Sequence, residues 1–143
     1  MSAILEPDDD AFLDEQRVAR LATADAAGRP HVVPVCFARV ESRLYVPVDA
    51  KPKRGDPRRL ARLRNLRARP EAVLLVDRYD EDWVHLRWLM IRAAATILDQ
   101  GAEREAALAA LEQRYAQYRV MGLAALGLPV IALTPTALRR WAA

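Results

Sequence analysis

Residues 18–50 read VARLATADAAGRPHVVPVCFARVESRLYVPVDA. Three runs rich in Val, Ala, Leu, Phe and Tyr, residues 18–25, 31–40 and 44–50, are separated by AAGRP and ESR. β-branched and aromatic residues suit a pleated, half-buried surface, and Gly, Pro and short polar breaks mark turns. Connections this short join antiparallel neighbours. The stretch therefore predicts the first three strands of an antiparallel sheet.

Further along, EAVLLVDRYD (71–80), HLRWLMIRAAATIL (85–98) and VIALTPTALRRWAA (130–143) supply three more strand candidates, the last ending in a short tail. Residues 7–16 predict a short helix, with Pro7 suited to its first turn, Asp8, Asp9 and Asp10 at the positive end of its dipole, and Phe12 and Leu13 on an apolar side. In DPRRLARLRNLRAR (56–69), Leu60, Leu63 and Leu66 recur at near-helical spacing between arginines, ahead of Pro70. Residues 101–119 predict one long helix, with glutamates early, arginines late, and Leu108, Leu111 and Tyr115 on one side. Six strands with helices after the third and fifth make a mainly β protein: a small six-stranded antiparallel barrel with peripheral helices.

A chain of 143 residues, 52% hydrophobic and 29% charged, is expected to form one globular domain over residues 1–143. No apolar run reaches the length of a membrane span, and MSAILEPDDD places no basic segment before an apolar one, so a cytoplasmic location is expected. The single cysteine, Cys36, lies in an apolar run and is expected to be a buried, inert thiol. Two histidines and one cysteine, without HExxH or CxxC, predict no metal; Asp77, Asp80, Glu81 and Asp82, with no histidine partner, are expected to form a solvated turn. GxSxG, GxxxxGK[ST] and GxGxxG are absent, which excludes a nucleophile elbow and the P-loop and Rossmann routes to a nucleotide. The net charge of +3 does not by itself call for nucleic acid. An aromatic stacking platform is not evident, and no nucleic-acid partner is expected.

The positive signal is DAKPKRGDPRRL, residues 49–60. It holds both lysines, Lys51 and Lys53, of a chain that otherwise uses twenty arginines. Lysine reaches a phosphate as a flexible point charge and arginine grips it with two donors, so the stretch describes an anion site; a solvated basic loop is the plainer alternative. Trp83 and Trp88 flank a polar turn, and the burial tendency of tryptophan makes them packing anchors. Trp141 either caps the barrel or meets a partner.

VARLATADAAGRPHVVPVCF, LYVPVDAKPK and RRLARLRNLRARPEAVLLVDRYDEDW followed by HLRW resemble the flavin and deazaflavin oxidoreductases related to pyridoxamine 5′-phosphate oxidase, the FMN-binding split-barrel class, and more narrowly the branch that uses the deazaflavin coenzyme F420. The resemblance spans about residues 10–140. It implies a six-stranded antiparallel split barrel, a homodimer, and a cofactor in the groove between subunits. By position, Lys51 and Lys53 would hold the cofactor phosphate, with Arg59, Arg62 and Arg64 as nearby candidates. His31, Val33, Pro34 and Val35 would run along the tricyclic ring, and Pro47 and Val48 along its other side. Asn65 falls in the family-like RNL and reads equally as a helix-surface amide. The implied activity is hydride transfer between F420 and a small organic acceptor, with no protein nucleophile; His31 or Tyr79 is the candidate proton donor. FMN on the same fold is the alternative cofactor, and a non-catalytic flavin- or haem-like ligand module is the alternative function.

Overall fold

The structure, a computed structural model, describes residues 4–48, 56 and 59–143. In chain order the elements are α1 (Pro7–Glu15), β1 (Ala19–Ala24), β2 (Pro30–Val35), β3 (Ala38–Val40), β4 (Arg43–Pro47), α2 (Ala61–Ala68), β5 (Glu71–Arg78), β6 (Arg87–Leu98), α3 (Ala102–Arg114), α4 (Ala116–Met121) and β7 (Val130–Ala142). Single 3-10 turns occupy Trp83–His85 and Leu123–Leu126. The strands form one antiparallel sheet in the order β2-β1-β5-β6-β7-β4-β3.

The two edge strands, β2 and β3, are neighbours in the chain, separated by Cys36 and Phe37. Val35 and Ala38 are three Cα steps apart, at most about 11 Å, so the sheet curls until its edges nearly meet. The result is a mainly β protein with an antiparallel half-barrel, and it has seven strands rather than the expected six. The extra strand comes from HVVPVCFARV, which bends at Cys36 and Phe37 and pairs on opposite sides with β1 and β4. Pro30 and Pro34 share one parity of β2, so both missing donors lie on one side of the strand, and an edge position leaves one side without a partner.

Register explains the core. Val33, Leu21, Leu74, Ile91 and Leu138 stand opposite one another across β2, β1, β5, β6 and β7, and facing residues of antiparallel strands share a face. Leu21, Leu74 and Ile91 are fully buried; each such side chain contributes about 1.5–3 kcal/mol relative to exposure. Phe12 and Leu13 of α1 and Leu63 and Leu66 of α2 pack into this layer. A second cluster joins Ala107, Leu108 and Leu111 of α3 to Ala38, Tyr45, Val130 and Ala132. β7 is therefore buried on both faces at Val130–Leu133. Pro135 sits where the β6–β7 ladder slips by one residue, a place where a strand accommodates proline.

Four further expectations need correction. The helix expected over 101–119 breaks at Tyr115, whose backbone is extended at φ −119°, ψ 116°. The cause is long-range: the Tyr115 hydroxyl accepts from the Phe37 N–H at 3.1 Å and lies 2.8 Å from the Arg17 carbonyl. β7 continues to Ala142, so the residues expected as a short tail belong to the strand. Trp83 is 66% exposed, Trp88 is half-buried and Trp141 is 43% exposed, so Trp83 anchors nothing. Its 3-10 turn follows β5 and is tied to it by Arg78, whose Nε donates to the His85 carbonyl at 2.8 Å. Cys36, expected to be buried, is half-buried at the corner between β2 and β3 and packs against the second cluster. Among the described residues no helix is long and apolar enough to cross a membrane.

Candidate functional site

The connection from β1 to β2, DAAGR, is an Asx-type turn. The Asp25 carboxylate accepts from the Ala27 and Arg29 N–H groups, both at 2.9 Å, and from Arg29 Nε at 2.8 Å. Gly28 takes φ +85°, a conformation that costs an L side chain strain and glycine nothing. The Arg29 guanidinium and the two backbone donors hold the Asp25 carboxyl below its ordinary range, outweighing the opposing effect of burial. Arg69, just past α2, donates to the Asp25 and Ala26 carbonyls at 2.9 and 3.1 Å, tying the helix end to this turn.

Between the turn and α2 lies an open cleft of about 670 Å³, within the usual range for small-molecule sites. Ala61, Arg64, Asn65 and Ala68 face it from α2 at the i, i+3, i+4, i+7 spacing of a single helix face. Asp25, Ala26, Ala27, Arg29, Pro30 and His31 face it from the other side. The Asn65 side chain is buried and donates from Nδ2 to Thr23 Oγ1 at 3.0 Å. His31 Nδ1 is enclosed and, among the described residues, has no hydrogen-bond partner. An enclosed polar nitrogen without a partner costs about 1–3 kcal/mol.

Of the residues singled out from sequence, His31, Arg64 and Asn65 come together around this cleft. Asn65 is not a helix-surface amide, because the apolar face of α2 carries it inward with Leu63 and Leu66. Val33 packs against the core, Val35 and Val48 belong to it, Pro47 is buried and Pro34 is exposed; none lines the cleft. Arg59 is exposed and its N–H bonds the Asp56 carbonyl ahead of α2, while Arg62 is half-buried and absent from the cleft wall. Lys51 and Lys53 lie outside the described residues. Of the two proton-donor candidates, His31 lines the cleft and Tyr79 stands 65% exposed beyond β5, away from it.

Thr23, Asp25, Arg29 and Arg69 did not stand out from sequence. The readable signal was Asp25 four residues before Arg29 with Gly28 between, a turn whose side-chain bond aims the arginine. The acidic turn also differs from expectation: it gains a histidine, because the 3-10 turn brings His85 Nδ1 to 3.6 Å from Asp80 and 3.9 Å from Asp82. Among the described residues no group of His, Cys, Asp and Glu is arranged to hold a metal ion.

No curated protein matches the chain in sequence. A conserved hypothetical protein from Mycobacterium tuberculosis superposes with a TM-score of 0.79 at 17% identity, covering 99% of this chain and 88% of that one. The haem storage protein HutZ from Vibrio cholerae superposes with a TM-score of 0.73 at 22% identity, over 96% and 94% of the two chains. An FAD-binding protein from Mesorhizobium loti gives 0.69 at 19% identity, over 95% and 94%. At these identities the likeness is one of fold. Residues 5–142, nearly the whole chain, match the model of the pyridoxamine 5′-phosphate oxidase family, and the chain belongs to that family.

Proposed function

We propose that this chain is an oxidoreductase that binds coenzyme F420 and serves hydride transfer to a small organic acceptor, with the cofactor in a groove completed by a second copy of the chain. The observation that carries the reading is the chemistry of the α2 cleft: His31, whose Nδ1 has no partner among the described residues, and Asn65 line it, with Arg29 and Arg64 around them. That donor set fits a hydrogen-bonding ring with an anionic chain. Lys51 and Lys53 are assigned to the cofactor phosphate, with Arg59, Arg62 and Arg64 beside them. His31 is assigned to the ring and Asn65 to the cleft side of the cofactor, while Val33, Val35, Pro47 and Val48, packed in or against the core, support that wall from behind.

Bound F420 would supply hydride chemistry at a ring carbon, so the chain needs no nucleophile of its own. Its residues bind, orient the two reactants and keep water away. FMN is the alternative cofactor, supported by the FAD-binding protein of the same fold. Arg29 and Arg64, both on the cleft, favour F420, whose acidic tail asks for more cations than one phosphate does.

The second copy is assigned to the outer face of the sheet. Val73, Leu75, Met90, Trp88 and Trp141 share that face by register and remain half-buried or exposed in the single chain. The ion pairs Arg20–Asp77 and Arg92–Glu71 and the side chain of Arg139 border it. An apolar sheet face with a charged border is the composition of an interface.

A second reading, a non-catalytic haem-like ligand module, is favoured by the haem storage protein of the same fold and by the unpartnered His31 nitrogen. Titrations with F420, FMN and haem, followed by cofactor fluorescence and by the haem Soret band, separate the readings. F420 binding supports the first, and haem binding alone replaces it with the second.

A further inference from the structure

The outer face of the sheet changes character from one end of β5 to the other. Past Arg78, the turn at 79–85 carries Asp80, Glu81 and Asp82 and leaves Tyr79, Trp83 and Val84 largely exposed. Trp88 and Trp141, paired across β6 and β7, stand on the outer face at the same end. Where β5 begins, about 23 Å away at about 3.3 Å per residue, the face carries small side chains instead. There Ala22, Ala24, Val73 and Glu71 line a hollow of about 310 Å³ with Arg69 beside them. Arg67 and Arg69, at the end of α2 and just past it, have no carboxylate partner among the described residues. The aromatic turn is fixed by its own bonds: the Asp80 carboxylate accepts from the Asp82 N–H at 2.8 Å, and Arg78 Nε donates to the His85 carbonyl at 2.8 Å. Apolar side chains held in an ordered turn and left in water form a preorganised docking surface. On the inner side of that end α1 is already in place, with the Arg78 and Arg87 guanidinium groups 5.6 and 4.5 Å from the Phe12 ring centre. The outer side is the one left open.

We infer that the second copy lies across the outer face with its strands reversed, so that the turn at 79–85 of each copy docks on the alanine hollow of the other, with Trp83 entering it beside Arg69. The inference rests on the second-copy reading above and names the segments that meet. Two copies stacked face to face about a two-fold axis have two arrangements. An axis along the strands puts like ends together, Asp80, Glu81 and Asp82 against themselves and aromatic side chains against aromatic side chains. An axis across the strands puts carboxylates against Arg67 and Arg69 and an indole against alanine, opposite in charge and complementary in size. With that axis crossing β5 at Leu75, Tyr79 of one copy is level with Glu71 of the other, both being the same number of residues from it. The turn that follows Tyr79 then reaches the level of Arg69. Glu71 is itself paired with Arg92 and adds no free charge to repel the turn.

The test is cross-linking with bis-maleimidoethane in a Cys36→Ala background, read by mass under denaturing conditions, with sedimentation of each variant to give its oligomeric state. Ala24→Cys/Trp83→Cys should give a covalent dimer, because its two thiols stand at opposite ends of one chain, beyond the reach of the reagent, and meet only across the interface. Trp83→Cys alone and Ala24→Cys alone should stay uncross-linked. Trp83→Ala should weaken dimerisation at least tenfold with the far-ultraviolet circular dichroism unchanged. Glu81→Lys, at an exposed residue, should weaken it about three- to tenfold at low salt and less at high salt. A covalent dimer from Trp83→Cys alone, a double variant that sediments as a dimer without cross-linking, or wild-type dimer affinity in Trp83→Ala overturns the inference and leaves the second-copy reading standing. A wild type that sediments as a monomer removes both.

Discussion

Asn65 of α2 donates from Nδ2 to Thr23 Oγ1 of β1 at 3.0 Å, with both residues buried, and this bond fixes one wall of the cleft against the sheet. The partners are 42 residues apart in the chain. Removing either one strands the other's polar group inside the protein, at a cost of about 1–3 kcal/mol. Thr23→Val and Asn65→Leu should each destabilise by that amount, while the double variant should cost less than their sum, by about 1 kcal/mol in denaturant melts. Strict additivity would mean that the bond contributes nothing.

Asp9 is buried in α1 and accepts from Arg140 Nε and Nη2 at 3.1 and 2.7 Å, with Arg87 Nη2 at 3.9 Å. Burial is the largest single influence and pushes its pKa up, but the bonds from Arg140 and from the Glu6 N–H, with the charges of Arg140 and Arg87, bring the net value below 3.8. The folded state then binds fewer protons than the unfolded one, so the stabilisation is complete above the unfolded pKa and fades as pH falls through the folded value. Asp9→Asn should cost about 2–3 kcal/mol near neutral pH. The gap from wild type should shrink below about pH 4. Thermal melts across pH 3–7 check this, and a gap that widens in acid contradicts it.

The Tyr115 hydroxyl meets the Phe37 N–H at 3.1 Å, the Arg17 carbonyl at 2.8 Å and Arg114 Nε at 3.2 Å. It links the start of α4 to the corner where β2 becomes β3. Tyr115→Phe should destabilise by about 1–3 kcal/mol through the stranded Phe37 N–H. Amide hydrogen exchange at Phe37 should quicken well beyond the change at Leu74; equal acceleration at both positions would make the effect global rather than local.

Met90 faces Leu75 on one side and Arg139 on the other across the outer sheet face. Met90→Arg would set a third guanidinium beside Arg139 and Arg92, a repulsion that a second copy docked there could not escape. Light scattering should show a dimer for the wild type and a folded monomer for the variant. A variant that stays dimeric at the wild-type concentration moves the interface elsewhere.

Apolar, β-branched runs between turn signals made most strands legible, because these are local information, and the family resemblance rested on the KPK, RNL and YDEDW motifs. The corner at Cys36 and Phe37 was not, since apolar residues run through it without a polar break and only the curl of the sheet decides where pairing changes sides. Nor was the end of α3, because helical periodicity continues through Tyr115 and the break depends on partners at residues 17 and 37. Trp83 misled for a different reason: residue type records how often tryptophan is buried, not whether another element reaches a given turn. In the site, His31, Arg64 and Asn65 stood out by residue type and motif. Arg29 needed the turn geometry to be seen, and Thr23 needed the fold.

The measurement that bears most directly on the function is a fluorescence titration of the protein with F420 and, separately, FMN, repeated on the Lys51→Ala/Lys53→Ala double variant. Tight binding of F420 over FMN, weakened at least tenfold by the double substitution, is the expected result and makes the lysine pair the phosphate clamp. No binding of either cofactor to the wild type would contradict the proposal and leave the split-barrel fold without the redox function assigned to it.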